Sequence, residues 1–476
     1  MMASWARWLT SVALVLALGV LLVPLAVLLV PPVVGSLRPS TPQPSPEIPG
    51  IQRPPEEVRE PHVVGALSAD APAPLPDLLG PLLDAELALE GATVTGMVLD
   101  VATDDVLYEA DAGRAQPPAS NIKLLTAAAV MAMLPPERRF DTTVLAEAAD
   151  GALYLQGHGD VLLGAGQSLG NKVVGHAGLA TLAEETVAAL DPAAGPFTVY
   201  VDDSHFEGAA LNPTWADGDV LAGEISAIYP LALTSGWSDE EARERYPDAA
   251  IAAAQVFQSA LTAAGADRGL DILPAVERRT ATAEAQPIAS VESATVEQQV
   301  THMLEVSDNY VAEALARSAA QASGRPASFG GATETLTAVA AHLGVPLEGL
   351  EIGDASGLSG RNAISAEQFA RLLGALALAE KPGLTGILDA LPVAGLTGTL
   401  EERFDAESGP ARTGAGVVRA KTGTLNAVTT LSGYVVSRDG RLLAFSFMAS
   451  GLDGDTAAAR KAADNAAGVL AACGCR

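Results

Sequence analysis

Cysteine is nearly absent from this 476-residue chain: Cys473 and Cys475, one residue apart at the carboxyl end, are the whole complement. Two thiols in that position cannot lay out a disulfide framework or a four-ligand zinc site, and no catalytic role is expected of them. The six histidines (His62, His158, His176, His205, His302, His342) show no metal-ligand spacing, and H-E-x-x-H is missing, so neither a metal nor another cofactor is expected. There is no G-x-S-x-G elbow either. Basic charge is also short. Against 57 Asp plus Glu stand 28 Lys plus Arg, a net −29, which excludes the basic footprint that nucleic acid requires. Lysine is the rarer base, with only Lys123, Lys172, Lys381, Lys421 and Lys461. The glycine-rich run from Gly164 to Lys172 places its lysine one position late for a phosphate loop, with no Ser or Thr after it. Apolar residues still reach 49% and charged residues only 18%, so the bulk of the chain is expected to fold.

What is present begins with an uncharged, apolar run from Leu9 to Val34, long enough for a bilayer core that takes about 20 residues. Residues 1–35 therefore read as a membrane segment. The run exceeds the ~7–15 apolar residues of a signal peptide, which favours an uncleaved anchor with Arg7 inside over a signal cleaved near Val33 to Ser36. Prolines crowd residues 36–76, which read as an extended, semi-rigid linker. Periodic structure starts with Leu79, Leu82, Leu83, Leu87 and Leu89, a helical pattern. Two hairpins follow from turn signals, one around Asp104-Asp105 near the start and one around Asp439-Gly440 near the end. A final Ala-rich helix begins near Thr456. Strands at both ends and a long helical middle imply one sheet assembled from both ends of the chain, enclosing an inserted helical region.

Three short motifs carry chemistry. Ser120-Asn121-Ile122-Lys123 opens an apolar helix that stops at Pro135-Pro136, and positions i and i+3 share a helical face. Lys123 can thus reach the Ser120 hydroxyl, while free N–H groups at the helix start lie near the same oxygen. An ammonium inside such an apolar run is expensive unless it has a partner or a task. Ser307-Asp308-Asn309 falls between two helical stretches, where capping alone would explain it. Lys421-Thr422-Gly423-Thr424 precedes the terminal strands. In that order, S-x-x-K, S-D-N and K-T-G form the signature set of the serine penicillin-recognising enzymes, and two of the five lysines fill its two lysine positions.

The set resembles the penicillin-binding protein and serine β-lactamase superfamily. Further segments are similar to the class C, D-alanyl-D-alanine carboxypeptidase/endopeptidase branch: Leu153 to Asp160, Asp202-Asp203-Ser204 with Phe206, Asp354 to Ser359, and Leu391 to Gly395 with Gly398-Thr399-Leu400. The likeness spans roughly Leu79 to Gly468. Ala355 and Val161 depart from the Gly and Pro of that pattern, and Ser307 follows Ser120 by 187 positions, fewer than is usual for the branch. The resemblance implies an α/β (α+β) fold: an antiparallel sheet flanked by helices, with a helical subdomain and a reduced inserted domain. Residues 77–140 and 286–476 would form the DD-peptidase domain, and 141–285 the insert.

Carried over residue by residue, the resemblance makes Ser120 the nucleophile on a D-Ala-D-Ala bond and Lys123 its base. Ser307 would relay the proton, and Asn309 would orient Lys123 and bond the substrate amide. Thr422, Gly423 and Thr424 would bind the terminal carboxylate, with Lys421 adding positive potential, and the N–H groups of Ser120 and Thr424 would form the oxyanion hole. Asp308 is expected to be structural. The implied partners are a peptidoglycan stem peptide ending in D-Ala-D-Ala, β-lactam antibiotics, and a membrane through residues 9–34, with the catalytic body exported. A class A β-lactamase shares the motifs but needs a deacylating glutamate, which Glu207 with Leu211-Asn212 imitates only at the wrong spacing. A non-catalytic wall-binding module is the other alternative, and whether a terminal D-Ala or a cross-link is cleaved stays open.

Overall fold

A computed structural model describes residues 67–475, except 69, 148–150 and 406–408. The expected anchor and most of the expected linker lie outside the described residues.

Helix α1 (Pro76–Leu87) carries proline in its first turn, where the missing N–H has no partner to lose. It buries Leu79, Leu83 and Leu87, one side chain per turn. Strands β1 (Thr93–Asp100) and β2 (Val106–Ala110) form the first expected hairpin. A 3-10 turn (Ala119–Ile122) then runs directly into α2 (Lys123–Met133), which ends ahead of Pro135-Pro136.

The chain next builds a second, mixed sheet from β3 (Asp141–Glu147), β4 (Ala152–Gly157), β5 (Phe197–Asp202), β6 (Ile272–Arg278) and β7 (Gln286–Glu292), ordered β6-β5-β4-β3-β7. Helices α3 (Leu179–Ala189) and α4 (Ala249–Gly265) share its core. This sheet corrects the expectation of an all-helical middle. Its edge strands β6 and β7 are mostly exposed and show no clean alternation, while β4 is buried almost throughout and reads equally well as helix. β7 pairs with β3 from Gln286 opposite Ala146 to Glu292 opposite Asp141. We therefore propose 141–292, rather than 141–285, as the insert. Among the described residues, one helical stretch, Ala249–Arg268, is long and apolar enough to cross a bilayer. Its Ala250, Ala254, Phe257 and Leu261 are packed in the core of this second sheet.

A helical subdomain follows: α5 (Val296–Val306), α6 (Asn309–Ala322), α7 (Phe329–His342), α8 (Ala366–Ala377) and α9 (Pro382–Asp389). The chain then returns to the first sheet with β8 (Arg419–Leu425), β9 (Val428–Val436) and β10 (Leu442–Ser450), and closes with α10 (Thr456–Ala472). The strand order β8-β9-β10-β1-β2 joins both ends of the chain, with Thr93 opposite Ser450 and Asp100 opposite Leu443. Strand side chains alternate between faces. Met97, Leu99, Ala444 and Met448 enter the core shared with the helical subdomain, while Val98, Leu443, Phe445 and Phe447 meet α1 and α10. Beyond α10, Cys473 and Cys475 are disulfide-bonded to each other, and the Cys475 carbonyl accepts from the Leu75 N–H at 2.8 Å.

A buried ion pair ties the hairpins together. The Arg441 Nη2 and Nε lie 2.7 Å from Asp100 Oδ2, and Arg441 Nη1 donates to the Ala71 carbonyl at 3.1 Å. Removing one partner of such a pair leaves an uncompensated buried charge, at a cost of roughly 3–5 kcal/mol. Asp100→Ala is therefore expected to lower the unfolding free energy by that amount, read as a fall in the urea midpoint with the m-value unchanged, whereas a loss under about 1 kcal/mol would show that the pair does not hold the sheet.

Candidate active site

The amine of Lys123 is the centre of the site. Its helix is apolar along its length, with eight further residues of α2 buried beside it, and Lys123 itself has no solvent exposure. Three acceptors surround Nζ: Ser120 Oγ at 3.0 Å, Asn309 Oδ1 at 2.7 Å and the Ser356 carbonyl at 2.6 Å. Burial lowers its pKa from 10.5 to about 8, against the opposing pull of Asp354, Asp308, Glu313 and Glu224. A neutral amine has two N–H groups and one lone pair. With Asn309 Oδ1 and the Ser356 carbonyl taking the N–H groups, the lone pair is left for the proton of Ser120.

Ser120 lies in the 3-10 turn rather than in an α-helical turn, so Lys123 three residues on eclipses it. Two glycines make room for this turn. Gly357 has φ +101°, and a Cβ there would fall on the Ala119 carbonyl and 2.9 Å from the Ser120 nitrogen. A Cβ on Gly423 would strike Thr430 Oγ1 and come within 3.0 Å of the Pro118 carbonyl, so only glycine lets β8 lie this close. Behind the turn, Asn121 Nδ2 donates to Ser432 Oγ at 2.6 Å and Thr430 Oγ1 to the Pro118 carbonyl at 3.0 Å.

The second motif is both a helix boundary and part of the site. Ser307 caps α5 in the left-handed conformation, with φ 61°, and Asp308 caps α6 by accepting from the Val311 N–H at 3.0 Å. Ser235 Oγ donates to the same carboxylate at 2.5 Å. From the third motif, Lys421 Nζ donates to Ser307 Oγ and to the Thr422 carbonyl, each at 3.0 Å. Lys421 is fully buried, and burial followed by the positive charges of Lys123 and Arg403 holds its pKa well below the ordinary value. Ser120, Ser307, Thr422 and Thr424 face one open cleft of about 300 Å³, whose remaining walls are Thr399, Arg403 and Arg460. Thr422 Oγ1 donates to Thr399 Oγ1 at 2.7 Å, and Arg403 is paired with Asp464. Glu207 is exposed and is not among the residues lining this cleft.

Several contributors carried no motif of their own. The Ser356 carbonyl is presented by a loop wound around the buried Asp354 carboxylate. That carboxylate accepts from the N–H groups of Gly357, Leu358 and Ser359, from Asn362 Nδ2, and from Trp215 Nε1 at 2.9 Å. Below it, Glu313 accepts from the Ala355 N–H, and its Oε2 has no hydrogen-bond partner among the described residues. Burial, reinforced by Asp354, pushes Glu313 up to about 8. Asn309 Nδ2 donates to the Glu224 carbonyl at 3.0 Å. The segment carrying Trp215, Glu224 and Ser235 lies between β5 and β6, and no motif in the sequence pointed to its part in the site.

The family model for D-Ala-D-Ala carboxypeptidase 3 (S13) matches residues 81–245 and 240–473. The chain belongs to this family. A carboxypeptidase DacB of Mycolicibacterium smegmatis is 33% identical over 390 residues, covering 80% of this chain and 81% of the relative. A D-alanyl-D-alanine carboxypeptidase of Actinomadura sp. is 28% identical, covering 77% and 79%. Among solved structures, penicillin-binding protein 4 (dacB) of Haemophilus influenzae superposes with a TM-score of 0.66 at 20% identity, over 82% of this chain and 98% of that one. The S13 fold thus accounts for both sheets and the helical subdomain together.

The close approach at Gly357 gives a direct check on the site. Gly357→Ala should displace Ser120 and slow acylation by a fluorescent penicillin on the order of 10²-fold, the usual effect of a misplacement near 1 Å. Gly360→Ala, with open space around its Cβ position, should leave the rate within twofold. Equal rates in the two variants would refute the tight fit of the turn.

Proposed function

We propose that this S13 protein is a serine-type D-Ala-D-Ala carboxypeptidase that works through an acyl-enzyme, and that the same site opens D-Ala cross-links as an endopeptidase. The observation that carries the reading is the buried Lys123 amine 3.0 Å from Ser120 Oγ, with its other contacts fixed by Asn309 and Ser356. Ser120 Oγ attacks the carbonyl of the penultimate D-Ala while its proton passes to the Lys123 lone pair. Ser307, held by Lys421, relays that proton from Lys123 to the amine of the departing D-alanine as the C–N bond breaks, which returns Ser307 to its hydroxyl form and Lys123 to its neutral form. Water then releases the peptide by the reverse route. Thr422 and Thr424 face the terminal carboxylate, and the N–H groups of Ser120 and Thr424 face the developing oxyanion. β-Lactams acylate Ser120 by the same attack.

The substrate lies outside the cytoplasm, so the body is exported. Residues 9–34 anchor it to the membrane and the proline-rich stretch spaces it from the surface.

Ser120→Ala is expected to abolish penicillin labelling and D-alanine release with the thermal midpoint preserved; labelling that persists at another residue would overturn the assignment. The base assignment has a sign that pH can test. Lys123 must be deprotonated to act, so acylation should rise about tenfold between pH 7 and 9 around a midpoint near 8. Lys123→Arg, which cannot lose its proton in that range, should remove the rise and at least about 10³ of the rate. A flat profile in the unaltered enzyme would remove Lys123 from the role of base.

A further inference from the structure

Asn309 has to present its oxygen, not its nitrogen, to Lys123. If the amide turned over, an N–H would face the amine, repelling the ammonium or occupying the lone pair that Ser120 needs. Asn309 Nδ2 donates to the Glu224 carbonyl, and that carbonyl sits in an irregular segment, not in a helix or sheet. Something must hold it in place.

Arg245 does so. Its Nε donates to the Gly223 carbonyl at 2.7 Å, its Nη1 to the Ser235 carbonyl at 2.5 Å and its Nη2 to the Glu224 carbonyl at 3.4 Å. The guanidinium lies 3.6 Å from the centroid of the Trp237 ring, and the short pairing of Trp237–Asp239 with Glu244–Arg245 fixes where the side chain starts. The backbone it gathers is strained, with φ 45° at Thr234 and 57° at Ser235. Such conformations persist only where surrounding contacts over-determine them. Both gathered arms end on the second motif: Glu224 on the Asn309 amide, and Ser235 on the Asp308 carboxylate that caps α6. Only a planar fork reaches three carbonyls at once; a lysine ammonium at the same place has no such geometry.

We propose that Arg245 is a positioning residue for acyl transfer, which acts by fixing the Glu224 carbonyl and through it the orientation of the Asn309 amide on Lys123. The proposal rests on the reading of Asn309 and Lys123 given above. It assigns part of the insert to the reaction: residues 222–246 clamp the Ser307-Asp308-Asn309 turn, and Arg245 is the pin of the clamp.

A double-mutant cycle tests it, with the second-order acylation constant for a fluorescent penicillin as the readout on the full chain. Arg245→Ala is expected to lower that constant by roughly 10- to 100-fold, on the scale of a misplaced catalytic group, and Asn309→Ala by at least as much. In the Asn309→Ala background the further loss from Arg245→Ala should shrink below about twofold, because coupled residues are non-additive. A structural role unconnected with Asn309 predicts instead the same loss in both backgrounds, and that result overturns the proposal, as does an Arg245→Ala variant with unchanged acylation. If Asn309→Ala alone leaves acylation intact, the role of Asn309 fails and the proposal falls with it; the single variant identifies that case. Should Arg245→Ala not fold, Arg245→Lys, which keeps the charge and the stem over Trp237 but loses the fork, enters the cycle with the same expected pattern.

Discussion

Everything in this molecule that bears on catalysis follows from the placing of an amine inside an apolar helix. The Lys123 side chain gives up all contact with water, which is tolerable only when its hydrogen-bonding capacity is met elsewhere and when it can shed its charge near neutrality. Three parts of the chain supply what it needs: the 3-10 turn before it, the start of α6, and the loop around Asp354. Each of these is fixed by its own buried network. The placing of this amine and the stability of the surrounding core are thus one problem with one solution, and the same burial that makes the lysine costly lowers its pKa.

The second lysine repeats the principle in a different setting. Lys421 reaches the cleft from an edge strand, is fully buried, and holds Ser307 in place of Ser120. Burial, and after it the positive charges of Lys123 and Arg403, hold its pKa well below the ordinary value. The cleft the two lysines serve is walled on one side by arginines in a chain whose net charge is strongly negative. Of these, Arg403 is already paired with Asp464.

Local chemistry made part of this legible in the sequence. The hairpins around Asp104-Asp105 and Asp439-Gly440, the helix over Leu79 to Leu87 and the final helix from Thr456 all announced themselves through periodicity and turn residues. The spacing of Ser120 and Lys123 announced their contact. The second sheet did not, because its edge strands β6 and β7 are mostly exposed and its central strand β4 is buried almost throughout, so none of these three shows a period of two. The Ser356 and Glu224 carbonyls were equally silent, since a backbone oxygen leaves no mark on the residue type that bears it. Asp354 and Gly357 were visible only as marks of a family branch; the structure shows them as the scaffold that brings a carbonyl to Lys123. Contributions through main-chain atoms, and from an insert distant in sequence, are what sequence reading is least equipped to find.

The order of strands in the first sheet has a consequence for when the enzyme comes into being. The turn that carries Ser120 is backed by Thr430 and Ser432, more than 300 positions further along the chain, and β1 finds its inner neighbour only in β10. A polypeptide emerging from the ribosome therefore carries Ser120, Lys123 and the Ser307-Asp308-Asn309 turn long before it has the strands that back them. Non-local pairing of this kind closes late, once the entropy of the intervening loop has been met. A chain that lacks its carboxyl-terminal strands therefore lacks the backing on which the Ser120 turn and β1 rest.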